Sequence, residues 1–375
     1  MKLTRTPGRV FWCLGFSVAL HLAAPVEAEE TKEFLGTRWI GGVEMSFSRK
    51  TELVLLNRWP VETEVAIRLD SSYGALEGRW TIPAMSQRTV EISGMSGPQT
   101  AGTIRVQSNR PIVANGYVVN SDQTIMCGRC VLGRPGLRGS EEVGWLVGLR
   151  QLEGRFRSDI LLTNPDCSNE AVPVEITLFA ADGRELVSFS LEVENGTTLF
   201  SPAPIKQAAG RPDLAWWYAR IEGCVLASAS VVDLRTGDAT TVPMITDGKS
   251  NDDEFPEWQQ WLEIAASCDG QLDSSWHTDL IVLNPGEDLA NVELIFHGPS
   301  GPYSSGVAIS GSNQEVFQDV VDLLGSSGKG LLEIRSDRPL AVSGRVHNAT
   351  DAGTAGHAVA GRNVDAGLIA GETVW

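Results

Sequence analysis

The chain has 375 residues, 42% of them apolar, which is enough to bury ordinary cores. Its formal charge is −17, and no Lys/Arg cluster reverses that sign locally. Such a field repels phosphate backbones and argues against nucleic-acid binding.

The N-terminus reads as an export signal. Lys2, Arg5 and Arg9 precede an apolar run at 11–24, and Val26-Glu27-Ala28 offers the small residues that a signal peptidase reads. The run is shorter than the about 20 residues a permanent span needs. Residues 1–28 are therefore expected to be a cleaved leader, with the product in the periplasm or outside the cell and no insertion into the membrane. Its removal takes three basic residues and one acidic, leaving −19.

Two phrases are then written three times. The first reads TELVLLN at 51–57, SDILLTN at 158–164 and TDLIVLN at 278–284. The second reads SNRPIVANGYVVN at 108–120, EGCVLASASVVD at 222–233 and SDRPLAVSGRVHN at 336–348. Repetition at roughly a hundred residues predicts three copies of one domain. The copies are expected at 29–135, 143–246 and 258–375, with 134–142 and 246–257 as polar linkers.

Each copy opens on a tryptophan (Trp39, Trp145, Trp261), which is expected to plug the space between two sheets. The apolar first phrase predicts a strand buried on both faces. It stops at Asn57, Asn164 or Asn284, a turn former followed by proline in the last two copies. Strict alternation follows: Val65-x-Ile67-x-Leu69, Val174-x-Ile176-x-Leu178 and Val292-x-Leu294-x-Phe296 predict strands with one wet face. Further short strands fall at 79–82 with 89–92, 186–193 with 197–200, and 306–309 with 315–317. Others fall at 103–106, 218–221 and 331–334, and the second phrase closes each copy. Segments 203–209 and 317–325 are candidates for one or two helical turns.

About seven short strands per hundred residues predicts an all-β chain of three tandem immunoglobulin-like β-sandwich domains. The order of apolar strand, Asn-Pro turn, alternating strand and S-[ND]-R-P strand resembles the repeated sandwich modules of secreted bacterial proteins. It is distantly similar to the sandwich of the sensory-rhodopsin transducer family. The resemblance implies a sandwich used for protein contacts, often in oligomers, and carries over no catalytic residue. Copy two departs from it, with Glu222-Gly223-Cys224 in place of x-Arg-Pro.

Five cysteines follow the leader. Cys167 and Cys224 are peculiar to copy two and are expected to form a disulfide. Cys127-Gly128-Arg129-Cys130 reads first as a small structural disulfide, with a redox couple or half a zinc site as alternatives. Cys268 is left over. The four histidines after the leader all fall in copy three (His277, His297, His347, His357) but at no metal-ligand spacing, so no cofactor or metal is expected. Hydrolase and nucleotide-binding signatures are missing.

The reading that results is a non-catalytic exported protein of tandem sandwich modules with an adhesion, scaffold or protein-binding role. Its partner would be another exported or surface protein. One alternative is carbohydrate binding through Trp59, Trp80, Trp216, Trp217, Tyr218 and Trp276. The other is thiol–disulfide activity at Cys127/Cys130.

Overall fold

The computed structural model describes residues 36–45, 49–71, 74–92, 100–110, 112–120, 129–132, 134–135, 143–164, 170–246, 258–270, 274–351 and 353–363. The leader, Cys127 and Cys167 lie outside the described residues, as does the side chain of Cys130. The described chain is all-β apart from two four-residue helices.

The first repeat supplies β1 (Gly36–Met45), β2 (Arg49–Asn57), β3 (Thr63–Ser71), β4 (Gly74–Ile82) and β5 (Ser86–Ile92). It continues with β6 (Thr100–Ser108), β7 (Val113–Asn120), β8 (Arg129–Leu132) and β9 (Arg134–Pro135). The second supplies β10 (Val143–Gln151), β11 (Phe156–Thr163), β12 (Val172–Ala180), β13 (Glu185–Val193), β14 (Thr198–Ser201) and helix α1 (Pro204–Gln207). Its remaining strands are β15 (Leu214–Glu222), β16 (Leu226–Asp233), β17 (Ala239–Pro243) and β18 (Ile245–Thr246). The third supplies β19 (Trp258–Asp269), β20 (Ser275–Leu283), β21 (Ala290–Gly298), β22 (Gly301–Ile309), β23 (Gln314–Phe317) and helix α2 (Val320–Leu323). It ends with β24 (Gly328–Ser336), β25 (Ala341–Thr350), β26 (Gly353–Ala360) and β27 (Arg362–Asn363).

One wiring serves all three repeats. The first makes sheets β4-β3-β6-β1-β9 and β5-β2-β7-β8, and the second makes β13-β12-β15-β10-β18 and β14-β11-β16-β17. The third repeats the pattern, with its two layers joined where Cys268 and Asp269 of β19 pair with Trp276 and Ser275 of β20. In every copy the second strand lies between the fifth and the seventh, and the first lies beside the sixth. An immunoglobulin wiring instead sets the first strand beside the second.

The alternating strands bury the side that their sequence predicts. Val65, Ile67 and Leu69 enter the first core, Val174, Ile176 and Leu178 the second, and Val292, Leu294 and Phe296 the third. Each such side chain contributes about 1.5–3 kcal/mol by leaving water.

The recurrent asparagines are turn formers, and they also fasten strand ends together. Asn57 Nδ2 donates to the carbonyls of Val61, Ile82 and Pro83, while its Oδ1 accepts the Trp59 N–H. Asn164 donates to Glu170 and Val193, and Asn284 to Asp288 and Ile309. All three side chains are fully buried, so the end of the second strand is tied to the end of the fourth in each copy. The corner after that fourth strand holds a left-handed residue in each repeat: Met85 (φ 49°), Gly196 (φ 68°) and Ser312 (φ 59°). Only glycine adopts that conformation without a steric cost of about 1–2 kcal/mol.

Trp145 and Trp261, which open the second and third repeats, do not plug the space between sheets. That place belongs to Leu146 and Leu262, the residues after them. Trp145 points to the other side of β10, and Trp261 is half-buried with its ring 5.3 Å from that of His297. Strand parity explains the correction, since neighbours in a strand face opposite ways. The Trp39 side chain lies outside the described residues.

Candidate functional site

The second and third repeats are packed against each other, and the cause is visible in two strands. In β10, Leu146 and Leu149 face the repeat's own core, yet Trp145 and Val147 on the opposite side are also buried. In β20, Leu280 and Val282 face inward, yet Ile281 and Leu283 are buried too. The two outward-facing sets meet, with Tyr218 and Ala341, in one apolar cluster between the repeats.

Polar groups fix the orientation around that cluster. The Tyr218 hydroxyl donates to the Ser312 carbonyl at 2.6 Å, and Phe179 stacks on its ring. Burial raises the Tyr218 pKa, so the hydroxyl keeps its proton and remains a donor. Gly148 N–H donates to Gln314 Oε1 at 2.8 Å, and Gln314 N–H donates back to the Ala181 carbonyl. Asp233 accepts both the N–H and the hydroxyl of Thr354, while Asp238 accepts the Gly356 N–H. Arg345 reaches from β25 to Thr240 at 3.0 Å and to Asp238 at 3.4 Å. Burial works to raise the pKa of Asp233, but the Thr354 and Arg235 N–H groups outweigh it and hold the carboxyl below its usual range. Burial lowers the Arg345 pKa against the pull of Asp238, Asp279 and Asp233.

Beside this interface lies a small cavity of about 20 Å³ with walls from both repeats. Apolar walls come from Val147, Val242, Ile281 and Ala358, and charge comes from Arg150 and Arg345. The Arg150 guanidinium carbon lies 3.6 Å from the centre of the Phe156 ring and 4.3 Å from that of Trp216. Among the described residues its buried Nε has no hydrogen-bond partner. Burial lowers its pKa to about 10, which leaves it charged at neutral pH.

The same outer face of the β20/β25 pair continues away from the cavity as a polar strip. Asp279 and His277 alternate along β20 opposite Arg345 and His347 of β25, and the two imidazole rings lie 5.9 Å apart. Burial pushes the His347 pKa down, with Asp279 opposing it and Arg345 and His277 adding to it. At the end of the strip Ser275 Oγ lies 3.1 Å from His277 Nε2, whose Nδ1 lies 2.6 Å from Asp319 Oδ2. Ser267 donates its hydroxyl to the same carboxylate at 3.0 Å.

That order of hydroxyl, imidazole and carboxylate can polarise a serine hydroxyl. Acyl transfer also needs converging N–H donors for the developing oxyanion. The Asn348 amide does not supply them, because its Oδ1 accepts the Ser275 N–H and its β-carbon stands with Trp276 on the opposite face of the sheet.

The other residues predicted from sequence are dispersed. Trp217 is fully buried in the second core and Tyr218 is buried between repeats, so neither offers a ring face to a ligand. Trp80 packs on the first core and Trp276 is half-buried on β20. Trp59 is exposed. His297 lies on the other sheet of the third repeat, 2.7 Å from the buried Glu333 carboxylate that Arg335 also holds. Among the described residues no group of three or more His, Cys, Asp or Glu is placed to hold a metal ion. Cys224 is disulfide-bonded and Cys268 is free.

Sequence reasoning missed Arg150, Arg345 and Asp319. The available signal lay in β10 and β20, where apolar residues occupy both parities. No protein-family model matches the sequence, and no curated protein matches it.

Proposed function

We propose that the chain is an exported binding protein of three tandem sandwich domains, immunoglobulin-like in layering though wired differently. Its role would be adhesion, scaffolding or the binding of another exported or surface protein. The observation that carries this reading is the junction of the packed second and third repeats. Its residues come from both copies, and its charged and aromatic residues are those that the copies do not share. Repeated positions build strands and turns, so specificity falls to the unrepeated ones. The basic n-region and apolar run at the N-terminus support export.

A glycan-binding platform fits less well. Sugar stacking needs open ring faces, and of the six candidate aromatics only Trp59 is exposed. The Trp216 ring is taken up by Arg150.

Two measurements test the proposal. N-terminal sequencing of protein recovered from outside the cytoplasm should begin near Glu29. The mature chain, immobilised and exposed to envelope and culture fractions of the native cell, should retain a defined partner that competes with soluble mature chain. An uncleaved N-terminus, or no specific partner, would overturn it.

A further inference from the structure

The two junctions between repeats are one contact made twice. Asp70 pairs with Thr103 across β3 and β6, and Phe179 pairs with Tyr218 at the same place across β12 and β15. Onto each pair sits the left-handed corner of the following repeat. Gly196 of the second repeat faces Asp70, and a β-carbon on it would stand 4.0 Å from that of the aspartate. The Thr198 hydroxyl lies 3.2 Å from that of Thr103. Ser312 of the third repeat faces Tyr218, and Gln314, placed after Ser312 as Thr198 is after Gly196, meets Gly148. The docking repeat also brings the outer face of its second strand. Leu161, Thr163 and Leu226 are buried in the second repeat, as are Ile281, Leu283 and Ala341 in the third.

Each repeat thus carries a corner for the repeat before it and a seat for the repeat after it. Such a contact is heterologous, and it leaves one corner and one seat unfilled at the ends of the chain. The free corner is that of the first repeat. Its left-handed residue Met85 is 47% exposed, with Trp59 and Val113 beside it at 40% and 37%. Val113 pairs with Leu56 as Ala341 pairs with Leu283, so it holds a position that the third repeat buries. The free seat is that of the third repeat, where His297 pairs with Leu331 in the place of Phe179 and Tyr218. Leu331 is 45% exposed. Ile264, which follows Leu262 as Gly148 follows Leu146, is 41% exposed. Half of the ten exposed large apolar side chains among the described residues therefore lie on these two faces. Single exposed apolar residues are ordinary, but two groups on matching faces mark an interaction surface.

We propose that the protein assembles head to tail with a second copy of itself, the Met85 corner of one chain seating on the Leu331 face of the next. This deepens the scaffold role argued above and rests on it, with the chain as its own partner. Growth beyond the dimer follows, since every added copy presents a fresh corner or a fresh seat.

The test is sedimentation velocity of the mature chain over a wide range of concentration at physiological salt. The mean mass should rise continuously through dimer and trimer. Met85→Asp blocks the corner with a residue that tolerates left-handed backbone, and Leu331→Asp blocks the seat. Each should weaken self-association at least tenfold. Mixed together, the two variants should form a dimer that grows no further, because one chain keeps its seat and the other its corner. Should either fail to fold, Val113→Asp and Ile264→Asp repeat the experiment on the same two faces.

A chain that stays monomeric at every concentration would overturn the proposal and leave the corner to a foreign partner or to the chain's own termini. Association that survives both substitutions, or that does not return in the mixture, would overturn it as well. The two proposals fail separately. A monomeric chain that still retains a foreign partner sinks self-assembly and leaves the binding role standing.

Discussion

Tyr218, on the second repeat, donates a 2.6 Å hydrogen bond to the carbonyl of Ser312, on the third, across a buried apolar interface. A hydroxyl buried with its acceptor stabilises modestly, but removing it strands a desolvated carbonyl. Tyr218→Phe is therefore expected to cost about 1–2 kcal/mol. Calorimetry should find the second and third repeats melting together, and the variant should lower that shared transition. Two separate transitions in the wild type would refute the coupling.

Gly183 touches the same carbonyl from another side. Its φ is +79°, and a Cβ there would stand 2.7 Å from Ser312 O. Gly154 has a similar φ of +68° with nothing within 4 Å. Alanine at either position costs about 1–2 kcal/mol of backbone strain. Only Gly183→Ala adds an overpacking penalty, about 1–3 kcal/mol. Urea denaturation of the two variants checks the difference, and equal losses would mean that the repeats do not pack as described.

The buried asparagines should be more sensitive than a loop position usually is. Asn284→Ala leaves the Asp288 and Ile309 carbonyls without their donor, and Gly286 N–H without its acceptor. The expected loss is roughly 2–4 kcal/mol. Amide hydrogen exchange should localise the loosening to β20 and β22. A loss below about 0.5 kcal/mol, within the range of ordinary surface changes, would refute the tie.

Acid should weaken the third repeat. Burial holds the pKa of His347 and His357 below the ordinary histidine value, so the unfolded chain takes up protons that the folded one refuses. Stability is then fully present above about pH 6.5 and is lost as pH falls below it. Each unit of pKa difference corresponds to about 1.4 kcal/mol. Asp279, Arg345 and His277 surround His347, so the fall should be tested with His347→Gln. A melting curve measured from pH 7.5 to 5.5 should flatten in that variant, and an unchanged slope would assign the effect elsewhere.

Cys224 is disulfide-bonded, and Cys167 is its proposed partner. Cys224 sits two residues before Leu226, which pairs with Thr163 at the end of β11, and Cys167 follows Thr163 by four residues. A bond closing that loop would stabilise the repeat by ~4 kcal/mol in the chain-entropy model. Non-reducing peptide mapping should return the 167–224 pair, with Cys268 alkylated directly. A Cys224 peptide linked to Cys127 or Cys130 would refute the pairing.

What was legible in the sequence was whatever depends on near neighbours. The alternation of Val174, Ile176 and Leu178, the stop at Asn164 and the short helices after Phe200 and Phe317 all follow from local patterning. Contacts between repeats were not legible. Trp145 read as a core residue because it is large and apolar, but its parity sends it to the second face of β10, which another repeat covers. The Ser275–His277–Asp319 chain spans 42 residues between its ring and its carboxylate, a separation that no spacing rule reads. For Arg150 the signal was confined to the strand that carries it, apolar on both parities, since its own character comes from the rings that enclose it.

The asparagine ties have a use outside the native chain. The amide of Asn57 reaches a carbonyl four residues on, Asn284 does the same, and Asn164 reaches six residues on to Glu170. The sandwich has thus already accepted two extra residues at this corner without giving up its anchor. A foreign peptide inserted after Asn57 or Asn284 would be held at its root by a buried amide. That makes the chain a natural scaffold for surface display, with several grafting points built from one repeated corner.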